Sequence, residues 1–226
     1  MTVIFEDGFE TGGLTLWTSN DNTVGDTVAA SQEKYVRGTW SLKCTTNGGG
    51  GTEYGRVHKT LTRTELYCRA YVYVETNGID AATDNMVFIR FREATSATTV
   101  AAAGWYNDGG TLKWRMYSLD GAGVVNTFGP TPETGRWYCV ELYWLEHAAA
   151  GIARMWIDGV LICEELGKDT DNYGDCGYLA LGIVQAVNTT SNVVYCDCLV
   201  VSDTYIGPLV TNIVTAVHVH SVGVLH

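Results

Sequence analysis

The chain has 226 residues, 46% of them apolar and 17% charged, with seven Trp, thirteen Tyr and only three Pro, which excludes a disordered chain and allows one sizeable domain. Its formal charge of −11 and pI near 4.7 argue against nucleic acid or an anionic membrane as the main partner. No run approaches the ~18 apolar residues of a membrane span. The N-terminus, Met1-Thr-Val-Ile-Phe-Glu-Asp-Gly-Phe-Glu10, lacks a basic segment followed by an apolar stretch, so no secretory signal is expected.

Short runs of alternating polarity recur between Gly, Asn and Asp clusters, and none holds a helical period for more than about two turns. Strands are predicted near residues 2–6, 26–30, 40–45, 54–60, 65–75, 85–93, 98–106, 111–117, 122–128, 136–146, 152–157, 160–166, 177–186 and 193–203. So many short strands imply an all-β protein of two packed sheets. Asn107-Asp-Gly-Gly110, Asp120-Gly121 and Asp158-Gly159 supply residues that tolerate positive φ, and each is read as a hairpin turn. The glycine run Asn47–Gly51 follows no Rossmann pattern and precedes no helix, so it is not a phosphate cradle.

Alternation sorts the side chains of the central strands onto two faces. Leu66, Cys68, Ala70, Val72 and Val74 oppose Tyr67, Arg69, Tyr71, Tyr73 and Glu75. Leu112, Trp114 and Met116 oppose Lys113, Arg115 and Tyr117, and Trp137, Cys139, Glu141 and Tyr143 form one face of residues 136–146. Arg90 and Arg92 share a face as well. The seven cysteines lie in or beside strands and are odd in number, which disfavours a disulfide scaffold; buried thiols are expected.

Three segments carry a family likeness: Arg136-Trp-Tyr-Cys-Val-Glu-Leu-Tyr-Trp144, Met155-Trp-Ile-Asp-Gly-Val-Leu161, and the strand that runs from Val194 through Asp197 to Tyr205-Ile-Gly-Pro208. Together they resemble the concanavalin-A-like, or laminin-G-like, jelly-roll domains. The resemblance implies a two-sheet antiparallel jelly-roll sandwich over residues 1–208. It also implies that the strands above share a concave sheet, whose candidate glycan-binding residues are Tyr67, Arg69, Tyr71, Tyr73, Arg90, Arg92, Arg115, Trp137 and Tyr143. Flat rings and guanidinium groups suit sugars that carry carboxylate or sulfate. Such domains hold a structural calcium between an acid after the first strand and one on the last, positions that Glu10 and Asp197 match loosely here.

Residues 209–226 have no charged side chain apart from three His and are rich in Val, so they read as an apolar C-terminal arm added to the domain. Such an arm needs covering, and Ile213, Val217 and Val219 are its candidate assembly contacts. The pair His218-x-His220 is read as solvated or buried imidazoles, not a metal site.

A glycosidase would need paired carboxylates across a cleft. Glu141 and Glu146 have opposite parity and Glu164-Glu165 are adjacent, so that activity is not expected. Arg63-Thr-Glu-Leu66 looks like the start of an alginate-lyase motif, but Tyr67 stands where its second Arg belongs and the companion motifs are absent. The preferred expectation is a non-catalytic structural or interaction module: a virion-surface protein, capsid-decorating or fibre-like, that forms a homo-oligomer or joins other surface proteins through its arm. The alternative is a secreted polysaccharide lyase or carbohydrate-binding module for an acidic glycan, using Tyr67, Tyr71 or Tyr73 with Arg69, Arg90 and Arg115.

Overall fold

A computed structural model describes residues 1–95 and 98–210, and these fold as an antiparallel jelly-roll sandwich. Its strands are β1 (Val3–Asp7), β2 (Ser19–Asn22), β3 (Thr27–Ser31), β4 (Ser41–Thr46), β5 (Thr52–Arg63), β6 (Glu65–Thr76), β7 (Asn85–Glu93), β8 (Thr99–Asp108), β9 (Thr111–Asp120), β10 (Gly123–Phe128), β11 (Trp137–Leu145), β12 (Gly151–Ile157), β13 (Val160–Lys168), β14 (Cys176–Val187) and β15 (Asn192–Ser202). Each strand range expected from alternation is occupied. The addition is β2, Ser19-Asn-Asp-Asn22, a polar segment with no apolar residue to alternate.

The first sheet runs β13-β12-β11-β6-β15-β4-β3, with β1 also paired to β15; the second runs β10-β9-β8-β7-β14-β5-β2. Asp158 (φ 52°) and Gly159 (φ 82°) form the tight β12–β13 hairpin that their residue types predict. The inner faces meet in one core, in which Phe88, Trp105, Trp114 and Tyr138 pack edge to face at 5.2–6.1 Å.

All seven cysteines are free thiols. Burial pushes Cys44, Cys176 and Cys198 up to about 12 and Cys139 and Cys163 up to about 11, so these thiols are unreactive at neutral pH.

Beyond β15 the chain crosses the outer face of the first sheet as a strap. Glu141, 1% exposed, accepts hydrogen bonds from the Ile206 and Gly207 amides at 2.8 Å. The Tyr71 hydroxyl accepts from Leu209 N at 2.8 Å, and Tyr205 packs on Trp156 at 5.1 Å. At the head of the strap, Thr2 N donates to the Asp203 carboxylate at 2.7 Å while Asp203 N donates to Thr2 O, which ties the two ends of the sandwich together. The arm contacts expected at Ile213, Val217 and Val219 lie outside the described residues.

Candidate functional site

The expectation that the aromatic and arginine strands share one sheet does not hold. Tyr67, Arg69, Tyr71 and Tyr73 are on β6 and Trp137 and Tyr143 on β11, in the first sheet; Arg90 and Arg92 are on β7 and Arg115 on β9, in the second. The core lies between the two groups, so the expected combination of Tyr67, Tyr71 or Tyr73 with Arg90 and Arg115 cannot meet on one substrate. Alternation assigns a side chain to a face of its own strand and carries no information about which sheet that strand joins.

The first-sheet residues are largely engaged with their own chain. Tyr67 stacks on Tyr143 at 4.2 Å, and the Tyr143 hydroxyl donates to Glu65 at 2.9 Å. Arg69 is 4% exposed, faces Glu141 across the β6–β11 pair and donates to Gly207 O at 3.4 Å. Tyr71 holds the strap, and Tyr73 lies 5.4 Å from Trp137.

Glu10 and Asp197 do not fit a calcium site. The Glu10 carboxylate accepts from Thr39 N and Trp40 N at 3.0–3.1 Å, and Asp197 accepts from Val36 N, Arg37 N and Cys198 N at 2.5–3.1 Å. Calcium needs a ring of oxygens, whereas these carboxylates face amide donors and fasten the loop that contains Val36–Trp40. Among the described residues, no three His, Cys, Asp or Glu side chains gather as metal ligands.

The outer face of the second sheet is different. Register places Ser19, His58, Ala180, Arg90, Ala102, Tyr117 and Asn126 directly opposite one another across β2, β5, β14, β7, β8, β9 and β10. Neighbouring strands are ~4.8 Å apart, so Arg90 stands about 10 Å from His58 on one side and about 10 Å from Tyr117 on the other, with an alanine in each gap. Ala180, Ala102, Val87 and Val184 make a small apolar floor against which Tyr117 packs. The result is a groove in two parts. One depression of about 390 Å³ is lined by Asp21, Arg56, His58, Arg92 and Tyr178, among others. The second, of about 200 Å³, is lined by Asn85, Arg90, Arg115, Tyr117 and Gln185, among others.

A bulge on β14 helps build it. Register slips on both sides of Val184, so Val184 joins the outer floor while the next residue, Gln185, lines the second depression. The bend passes through Gly182 at φ 123°, where a Cβ would come within 2.7 Å of Cys44 Sγ.

The groove is cationic on a chain whose net charge is −11. Arg56 is paired with Asp21, and Arg92 lies over the Tyr178 ring and Arg115 over the Tyr106 ring, at 5.3 and 4.9 Å. Arg90 is 7% exposed; its Nη1 reaches Gln185 Oε1 at 3.5 Å, its Nε has no partner, and no carboxylate pairs with it among the described residues. Burial, then the charges of Arg56 and Arg92, push its guanidinium down to about 9. Burial also holds the His58 imidazole below its ordinary range; Asp21 opposes that shift, and Arg56 and Arg90 add to it. The balance favours the neutral imidazole.

Of these residues, sequence reasoning selected Arg90, Arg92 and Arg115 and missed Arg56, His58, Tyr178 and Gln185. Arg56 and His58 were findable, because 54–60 was already a predicted strand and the two residues alternate with buried Val57. Gln185 was not, since a bulge breaks its parity.

No protein-family model matches the sequence, and no curated protein matches it. Solved structures do resemble the fold. An endo-β-1,4-glucuronan lyase from the fungus Trichoderma reesei superposes with a TM-score of 0.69 at 19% identity, covering 90% of this chain and 96% of that one. The cellulose induced protein Cip1 gives 0.62 at 18% identity over 90% and 99%. The alginate lyase Aly36B gives 0.59 at 15% identity over 79% and 88%. The chain thus has the two-sheet jelly-roll fold of these structures.

Proposed function

We propose that the outer face of the second sheet binds an acidic, uronate-containing glycan and cleaves it by β-elimination. The observation that carries the reading is Arg90: a desolvated guanidinium without an ion pair costs stability unless an anion completes it. A uronate carboxylate fits that place, and the alanine floor accepts the apolar face of a pyranose ring.

In the reaction, Arg90 would hold the carboxylate and acidify the adjacent C5–H bond. Neutral His58 would take the C5 proton, the freed electron pair would form the C4–C5 double bond, and the C4–O bond would break. Tyr178, whose ring centre is 6.0 Å from that of His58, would return a proton to the leaving oxygen. The names of the similar lyases point to uronate polymers. The site and the similar structures lend no support to a virion-surface role.

The test is incubation with glucuronan, alginate, polygalacturonate and glycosaminoglycans while following the absorbance of unsaturated products. Product from one of these polymers that disappears in Arg90→Met and His58→Ala supports the proposal. Binding that Arg90→Met abolishes, without product, would sink cleavage and leave a glycan-binding module. Absence of both overturns the reading.

A further inference from the structure

We infer that Asp21 is a positioning residue of this site: its carboxylate holds His58 as the Nε2–H tautomer, leaving Nδ1 as the basic atom, and fixes Arg56 beside it. The inference rests on the reading above that His58 takes the proton.

Asp21 lies on β2, the edge strand that no hydrophobic pattern announces. All four side chains of β2 are polar, none is buried, and the strand contributes nothing to the core. What it does contribute is register: Ser19 pairs with His58 and Asp21 with Arg56. Asp21 Oδ1 is 2.7 Å from His58 Nε2 and 3.0 Å from Arg56 Nε, and Oδ2 is 2.9 Å from Arg56 Nη2. Arg56 Nη1 donates to Val184 O at 2.8 Å, so the guanidinium that braces Asp21 is itself anchored at the β14 bulge.

An ionised carboxylate can only accept hydrogen bonds. Burial works against the Asp21 charge, but the hydrogen bonds and charge of Arg56, together with the hydrogen bond from His58, outweigh it and hold the carboxyl below its usual range. The proton between Asp21 and His58 therefore belongs to Nε2. A neutral imidazole has one N–H, so the lone pair is on Nδ1. The other groups around His58 are Arg56 on its own strand, Arg90 and Arg92 from β7, and Tyr178 from β14. Burial, Arg56 and Arg90 disfavour an imidazolium, and Asp21 favours it. A single carboxylate thus sets which ring nitrogen is basic and limits how far its basicity falls.

The tautomer is measured directly on the full ¹⁵N-labelled chain by long-range ¹H–¹⁵N correlation at pH 8, with His58→Gln assigning the signal. The expected wild-type result is a pure Nε2–H form. Asp21→Ala should show both tautomers and a lower His58 titration midpoint. The isosteric Asp21→Asn guards against loss of β2, and its amide can offer an N–H to Nε2, so the Nδ1–H form should appear. Arg56→Gln should leave the tautomer unchanged and weaken binding of the cleaved glycan. In turnover, Asp21→Ala should lower kcat within the ~10²–10⁴-fold that a general base contributes, change KM less, and move the acid limb of kcat/KM to lower pH. Arg56→Gln should show the opposite split. A wild-type Nδ1–H form, or an unchanged tautomer in both Asp21 variants, overturns the inference. The expected tautomer in a protein that cleaves no glycan sinks the lyase reading and leaves the Asp21–His58 pair standing.

Discussion

In the proposed function, Arg90 is worth more to binding than to folding. Its Nε has no partner and its nearest cations repel it, so the folded state tolerates a cost of about 1–3 kcal/mol for that buried group. Arg90→Met should remove the charge while filling the space between Val87, Ala102 and Tyr117 with apolar atoms. The expected outcome is a protein more stable by ~1–3 kcal/mol, seen as a Tm rise of ~2–4 °C for each kcal/mol, that has lost its glycan. Equal or lower stability in the variant would mean that Arg90 is satisfied within its own chain. None of this was visible in the sequence, where Arg90 was one of several arginines on predicted strands and its burial and missing partner could not be read.

At the level of elements, the strap and β2 mark the two limits of what the pattern of residues reveals. The strap was legible as the Tyr205-Ile-Gly-Pro208 close of the domain, but its target was not: alternation placed Glu141 on a face with Trp137, Cys139 and Tyr143 and gave no sign that it anchors Ile206 and Gly207. Glu141→Ala should free the strap and leave Arg69 buried without its facing charge. A loss of about 3 kcal/mol is expected from the two charged hydrogen bonds, read as a lower urea midpoint with the slope unchanged, and glycan binding on the other sheet should persist. β2 is the opposite case. Ser19-Asn-Asp-Asn22 has no periodicity because it buries nothing, so a method built on hydrophobic alternation passes over the strand that holds Asp21. The long strands were readable because each has a core face; the partition of those strands between sheets was not, because it depends on long-range pairing.

For the whole molecule, the two outer faces divide the work. The groove occupies one, and the strap delivers residue 210 onto the other, so an assembly formed through the C-terminal arm would leave the groove open. Under the proposal that the arm assembles the protein, truncation after Val210 should convert that assembly to a monomer by light scattering, with glycan binding retained. An assembly that survives the truncation would locate the contact elsewhere.

The mutual hydrogen bonds of Thr2 and Asp203 have a kinetic side. Val3 pairs with Ser202, and among the described residues β1 has no other partner strand, so during synthesis β1 must wait for β15 before it can be placed. Closing so long a loop costs entropy that only the completed contact returns. The first sheet is therefore finished after translation of β15, whereas the β7-β8-β9-β10 part of the groove sheet, whose neighbours are consecutive in the chain, can assemble as a meander while synthesis continues.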